Sequence, residues 1–138
     1  MKKEQNKKRK IQPRKESDPP QAVSEWGWRY HHLGIPTNIP QTNEIYLEHL
    51  KVYVSGFETS PYGIEWMRFD EDCPVTGIIK SVPHIAFEVD DLESALAGKK
   101  ILSEITSPCQ GVRVAMILHD GAPIELMEFN KEAHKEKQ

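Results

Sequence analysis

Two histidine–glutamate pairs recur along this chain in similar surroundings. His32 begins the segment His-Leu-Gly-Ile, and Glu65 follows 33 residues later in Ile-Glu-Trp-Met-Arg-Phe. His84 begins His-Ile-Ala-Phe, and Glu125 follows 41 residues later in Ile-Glu-Leu-Met-Glu-Phe. Two neutral imidazoles and two carboxylates suit Zn²⁺, Ni²⁺, Co²⁺, Mn²⁺ or Fe²⁺, and affinity alone does not choose among these ions. The duplicated motif therefore predicts one divalent metal site with His32, Glu65, His84 and Glu125 as ligands.

Strand parity decides whether these side chains share a cavity. Alternate residues of a strand point to opposite sides of the sheet, so His32 shares a face with Gly34, and His84 shares one with Ala86. The opposite faces of both opening strands are apolar, as a layer covered by helices should be. Each closing strand projects one glutamate among apolar neighbours. We therefore expect the four candidate ligands to converge on one face.

Such a site can do proton-transfer chemistry. A bound dication stabilises a developing enediolate oxygen as a Lewis acid, and a ligating glutamate can loosen and accept a proton from a substrate carbon. The alternatives are simpler: a lone His84 is most often a hydrogen-bonded core histidine, and a lone Glu65 or Glu125 usually faces solvent. Duplication of the pair favours the metal site.

The other histidines are not predicted to bind the metal. His31 adjoins His32 but should point to the opposite face, so only one of the two can be a ligand. His49, His119 and His134 have no counterpart in the other half of the sequence, and we predict that they are surface residues.

The elements that carry these residues are mostly strands. Apolar and β-branched segments bounded by turn residues predict strands at 26–35, 51–57, 64–69, 84–89, 101–106, 112–118 and 124–129. Segment 41–49 fits a helix or a strand equally, residues 60–63 form a turn, residues 70–82 form a connector, and 131–138 form a charged terminus. A helix containing Leu92, Ala95 and Leu96 should be capped by Asp90 and stopped by Gly98.

Composition limits the chain to one domain with a modest core. It has 138 residues and a formal net charge of −3, which divides into +5 for residues 1–20 and −8 for the remainder. The acidic body argues against nucleic-acid binding, and we expect residues 1–22 to be a disordered basic tail. No apolar run is long enough to cross a bilayer, which excludes a membrane protein. Cys73 and Cys109 lack a disulfide framework, so we expect reduced thiols in a cytoplasmic protein.

With these residues identified, the chain resembles the vicinal oxygen chelate superfamily. The resemblance covers about residues 28–130 and rests on His-Leu-Gly-Ile at 32–35, on His-Ile-Ala-Phe-Glu-Val-Asp-Asp-Leu at 84–92 and on Gly-Ala-Pro-Ile-Glu-Leu at 121–126. It implies an α+β fold in which paired βαβββ modules form a cup-shaped mixed sheet with helices outside. We expect one domain over 23–138, with a shortened first module at about 26–72 and a second at about 79–130. The first and last strands of each module would supply the ligands.

The resemblance also implies a function. A complete set of two histidines and two glutamates is similar to bacterial-type glyoxalase I, so we expect a lyase or isomerase that moves a proton on a small vicinally oxygenated substrate. Glu125 would be the catalytic base and Glu65 its pseudo-symmetric partner. By the same resemblance we expect a homodimer.

Two other functions remain open. Extradiol dioxygenases of the superfamily typically use two histidines and one glutamate. Drug-binding members generally lack the ligands, and a binding protein of that class would use an aromatic lining, for which the candidates are Trp26, Trp28, Tyr62 and Trp66. Glutathione-dependent relatives need cations at the mouth of the cup, and the plausible ones here are Arg29, Lys51, Arg68, Lys80 and Arg113.

Overall fold

A single eight-stranded mixed sheet dominates the computed structural model, which describes residues 17–75 and 77–130. The strands are β1 (Arg29–Pro36), β2 (Ile45–Leu47), β3 (Val52–Ser55), β4 (Ile64–Phe69), β5 (His84–Glu88), β6 (Ile101–Cys109), β7 (Val112–His119) and β8 (Ala122–Phe129). The helices are α1 (Gln21–Ser24), α2 (Gly77–Ser81) and α3 (Leu92–Leu96). The sheet curls into a half-barrel, which confirms the predicted α+β, cup-shaped fold class.

The strand order shows two similar halves. It runs β2-β3-β4-β1-β5-β8-β7-β6, so the first half contributes the strands before the central β1–β5 pair and the second half those after it. In each half the opening strand lies parallel to the closing strand, β1 with β4 and β5 with β8. The opening strands join the halves through antiparallel pairing. The link from β1 to β2 contains no helix, whereas α3 lies between β5 and β6.

The main core lies on one face of the sheet, called here the helix face. Residues of β5, β7 and β8 pack there against α3 and Trp28, and Ala22 of α1 packs against the same cluster. In β5 the core residues Ile85 and Phe87 alternate with His84 and Ala86, which point to the opposite face. The opposite face, called the site face, therefore carries the candidate ligands, as strand parity predicts.

Several boundaries differ from the sequence expectations. Asp91, not Asp90, caps α3, because its side chain accepts a hydrogen bond from the Ser94 amide, while Asp90 pairs with Arg29. The connector at 70–82 contains α2, and the ambiguous segment 41–49 contains the extended strand β2. Residues 1–16 and 131–138, which hold most of the predicted tail and the charged terminus with His134, lie outside the described residues. Within the described part, α1 begins at Gln21, inside the range predicted as tail.

No helix among the described residues is long and apolar enough to span a bilayer.

Candidate metal centre

The site consists of two short rows of residues that cross the middle of the sheet. One row runs through paired residues from His32 on β1 to Ala86 on β5 and Glu125 on β8. Neighbouring strands lie about 4.8 Å apart, so side chains that point to one face of such a row are near neighbours. The pairing of the strands therefore explains why residues 93 positions apart in the sequence meet.

The second row repeats the first with the halves exchanged. It runs from Glu65 on β4 to Gly34 on β1 and His84 on β5. Each row thus contains the glutamate of one half, a small residue in the middle and the histidine of the other half. The two rows lie side by side on β1 and β5, which brings all four predicted ligands onto the site face.

Three of the four predicted ligands form a compact cluster. His32, His84 and Glu125 each offer a ligand atom within 4.8 Å of the other two. Glu125 Oε1 lies 3.2 Å from His32 Nε2 and 3.2 Å from His84 Nε2. Two donors that are each about 2.1 Å from a common metal, at angles of about 90–110°, are about 3.0–3.4 Å apart. The spacing of the cluster therefore fits a shared ion.

Unpartnered nitrogen atoms support the same interpretation. Both histidines are buried, and His32 Nε2 lacks the alignment needed for a hydrogen bond to Glu125 despite the short distance. His84 Nδ1 also has no hydrogen-bond partner among the described residues. A buried imidazole nitrogen that makes no hydrogen bond destabilises the fold unless it binds something, and His32 Nε2 faces two other potential metal-ligand atoms. A metal ion bound by His32 Nε2, His84 Nε2 and Glu125 would use the first of these nitrogens.

Glu65 lies beside the cluster and outside it. Its Oε1 is 3.6 Å from His32 Nε2, and its side chain is about one quarter exposed. It also lines a cavity of about 670 Å³ formed by residues of the first half, among them Phe57 and Trp66. Glu65 is therefore close enough to reach a molecule bound at the cluster from the cavity side.

The two glutamates differ in how readily they take up a proton. Burial of Glu125 favours its protonated form, but His32 and His84 outweigh this effect and hold the pKa of the carboxyl well below its usual range. Burial raises the pKa of Glu65 against the opposing effect of His32. Burial also disfavours the charged form of His32, yet Glu125 outweighs it and raises the pKa of this imidazole. Glu125 is thus a fixed anion, while Glu65 takes up a proton more readily.

His31 is a site residue that strand parity misplaced. It was predicted to point away from His32, but β1 has a register irregularity between Tyr30 and His32, so the alternation fails there. The Nδ1 atoms of His31 and His32 lie 2.8 Å apart, a hydrogen-bond distance. The ring of His31 also stacks on Phe57, at a centroid distance of 4.9 Å. His31 therefore fixes the orientation of a candidate ligand, a role that the sequence pattern gave no signal for.

Gly34 leaves room for one of the ligands. A Cβ atom at this position would lie 2.7 Å from both ring nitrogens of His84, a distance that real Cβ atoms essentially never adopt. The backbone of β1 can therefore approach the His84 ring only because residue 34 is glycine. The equivalent position in the other row is occupied by Ala86, which is fully buried opposite His32.

The remaining candidates do not join the site. His49 and His119 are exposed, as predicted. The aromatic residues proposed to line a binding cavity are separated: Trp66 borders the 670 Å³ cavity beside Glu65, Trp26 and Trp28 border a cavity with Lys99 on the helix side, and Tyr62 is largely exposed. The candidate cations are engaged elsewhere. Arg29, Lys51, Arg68 and Arg113 pair with carboxylates, and Lys80 donates to the Cys73 carbonyl.

Comparisons with known proteins support the fold and no more. No family model matches the chain, and no curated protein matches it. Among solved structures, a hypothetical protein from Bacillus halodurans C-125 is similar, with a TM-score of 0.56 and 19% sequence identity over 73% of this chain and 94% of that one. At this identity the likeness concerns the curled mixed sheet alone.

Proposed function

We propose that this protein is a metal-dependent enzyme related to the vicinal oxygen chelate superfamily, and that it moves a proton on a small vicinally oxygenated substrate as a glyoxalase-like lyase or isomerase. One observation carries the proposal: two imidazoles and one carboxylate converge at metal-binding spacing, with a second carboxylate beside them. The curled two-half sheet that the superfamily resemblance implies supports it further.

The residues divide into a binding group and a reacting group. His32, His84 and Glu125 would hold the ion, since each offers one ligand atom within 4.8 Å of the other two. A divalent ion bound there supplies Lewis acidity toward a substrate oxygen. Glu65 is the group that we assign to proton transfer, because burial raises its pKa and it reaches the site from an open cavity. The sequence-based assignment of Glu125 as the base is the competing prediction.

Metal titration of the purified protein tests the binding group. We expect Co²⁺ or Zn²⁺ to bind with micromolar or better affinity in isothermal titration calorimetry. In Glu125→Gln the affinity should fall by at least about 100-fold, because the carboxamide cannot neutralise the ion. Glu65→Gln is the matched variant and should lose less than about tenfold. Absence of metal binding in the wild type would refute the proposal.

Proton transfer is tested by isotope exchange. The metal-loaded protein is incubated in D₂O with α-hydroxy ketones and with hemithioacetals of small thiols, and incorporation of deuterium at carbon is followed by NMR. We expect Glu65→Gln to abolish exchange while it keeps the metal. Exchange that survives in Glu65→Gln would return the role of base to Glu125, and absence of exchange across the panel would refute the isomerase assignment.

A ring-cleaving dioxygenase is a second candidate, and one observation favours it. The compact set of two histidines and one glutamate is the arrangement found at non-haem iron centres that keep open positions. Oxygen uptake by the Fe²⁺-loaded protein with catechol would support this candidate. The homodimer and the cytoplasmic location remain predictions. Sedimentation analysis of the wild type and of variants at Ile45 and Tyr46, which are exposed on edge strand β2, tests the homodimer.

A further inference from the structure

A second cavity, of about 290 Å³, borders the candidate metal centre and is lined by residues of both halves. His84 and Glu125 form part of its wall. Its volume lies just below the range of about 300–1,000 Å³ that is common for small-molecule sites. The cavity is thus suited to a small ligand that meets the site with one end.

The rest of the wall is mostly apolar. Val52, Met67, Phe69, Val114 and Met116 all contribute to it. Val114 and Met116 alternate along β7 with the core residues on the helix face, so this wall is a second apolar surface of the same sheet. It is not part of the main core, and it surrounds open space.

The charged groups at this cavity are all acidic. Glu104 and Glu125 belong to the wall, and no lysine or arginine among residues 17–75 and 77–130 does. The nearest candidates for a compensating cation are already engaged: Lys51 pairs with Asp72, and Lys80 donates to a backbone carbonyl. In the metal-free protein, an anionic ligand would therefore lose its hydration without gaining a counter-charge.

We propose that the substrate of this site is an uncharged molecule with an apolar body, which lies in the 290 Å³ cavity while its oxygen atoms face His84 and Glu125. The inference rests on the proposed function only for the placement of the oxygen atoms at His84 and Glu125. That the body of the substrate is apolar follows from the cavity wall itself. Such a cavity disfavours substrates with a carboxylate-bearing tail, such as glutathione conjugates.

Methionine methyl groups report on this cavity without any need for metal. The full chain, kept free of metal with EDTA, is labelled with ¹³C at the methionine methyl groups, and octan-1-ol and octanoate are titrated separately by NMR. Met67 and Met116 belong to the wall, and Met127 does not, so Met127 is an internal control. We expect octan-1-ol to shift the first two signals, with octanoate binding at least about tenfold more weakly.

A charge reversal at the exposed Glu104 sharpens the test. In Glu104→Lys, octanoate should bind to within about threefold of octan-1-ol, because a counter-charge now stands at the wall. Ile105→Lys adds the same charge one residue away, outside the wall, and should leave the selectivity unchanged. Both positions are exposed, so the fold should tolerate both variants.

The outcomes separate this inference from the proposed function. No shift of the Met67 and Met116 signals with octan-1-ol, or equal affinity for octanoate in the wild type, would overturn the inference even if Co²⁺ binds. Shifts with octan-1-ol in a protein that fails to bind Co²⁺ would uphold the apolar cavity and refute the metal-dependent function.

Discussion

The two halves of the sheet contribute equally to the candidate site and unequally to the structure around it. Each half gives one histidine and one glutamate, on corresponding strands. The second half also holds α3 and nearly all of the buried cluster, to which the first part of the chain adds chiefly Trp28 and residues of α1. The outer strands of the first half, β2 and β3, span only three and four residues. The comparison teaches that a half with little packing of its own can still position a histidine and a glutamate at the site.

The unequal surroundings extend to the ligands themselves. Glu125, from the second half, lies between both imidazoles, whereas Glu65, from the first half, stands at the edge of the cluster. His32 has a hydrogen-bonding neighbour in His31, and His84 Nδ1 has none among the described residues. The small residue in the middle of each row also differs, glycine in one and alanine in the other. These differences can be tested one at a time.

The largest effect is expected at the middle of the rows. Gly34→Ala places a methyl group where the His84 ring lies, so the ring must leave its position or the strands must separate. We expect Co²⁺ affinity to fall by at least about 100-fold, and the free energy of unfolding to fall by about 1–3 kcal/mol, as is typical of overpacking. Calorimetric titration and chemical denaturation measure the two quantities.

The corresponding change in the other row is the control. Ala86→Gly removes a methyl group opposite His32 without forcing any ring to move, so Co²⁺ affinity should fall by less than about tenfold. Equal Co²⁺ affinities for Gly34→Ala and the wild type would show that the two rows tolerate a methyl group at their middle position equally well.

A smaller effect is expected from the neighbour of His32. His31→Phe keeps an aromatic ring against Phe57 but removes the nitrogen that meets His32 Nδ1. Partners that orient a ligating histidine typically contribute about 10–100-fold to metal affinity, and we expect a loss near the lower end. The melting temperature of the metal-free protein should change little, which separates orientation from folding. His49→Phe, at an exposed position, should leave both quantities unchanged.

Much of this arrangement could be predicted from the sequence, and the exceptions have physical causes. Parity placed His84 and Glu125 correctly on the site face, because β5 and β8 pair without irregularity and keep a strict alternation. It failed for His31, because an irregularity in β1 depends on the pairing with β5 and leaves no local trace in the sequence. The compact trio with Glu65 at its edge depends on how the sheet curls, which residue types and spacing do not specify.

Helix capping shows the same limit on a smaller scale. Two adjacent aspartates precede α3, and either could cap it by type. The structure uses Asp91, because Asp90 is paired with Arg29 across the sheet. Arg29, which lies 61 residues from Asp90 in the sequence, therefore decides which aspartate caps the helix, and no local sequence pattern contains that information.

The smallest effect concerns one arginine in each half and should appear as a difference in pH dependence. Arg113, in the second half, pairs with Glu93 and Glu128, and the contact with Arg113 lowers the pKa of Glu93 to about 2. A pKa that is lower in the folded state stabilises the protein above the ordinary value of about 4.5, and this stabilisation is lost as the pH falls toward 2. Arg113→Met should therefore lower the melting temperature by roughly 1–3 °C at pH 7 and by progressively less below pH 4.5.

Arg68, in the first half, should behave differently in the same experiment. It pairs with Glu44, but its guanidinium also lies 4.1 Å from the centroid of the Tyr53 ring, a contact that does not titrate in this range. In circular-dichroism melts from pH 7 to pH 2, the deficit of Arg68→Met should therefore shrink only in part, while that of Arg113→Met nearly closes. Parallel curves for the two variants would mean that the ring contact of Arg68 adds nothing. The two halves would then differ in their packing and not in how their charges stabilise them.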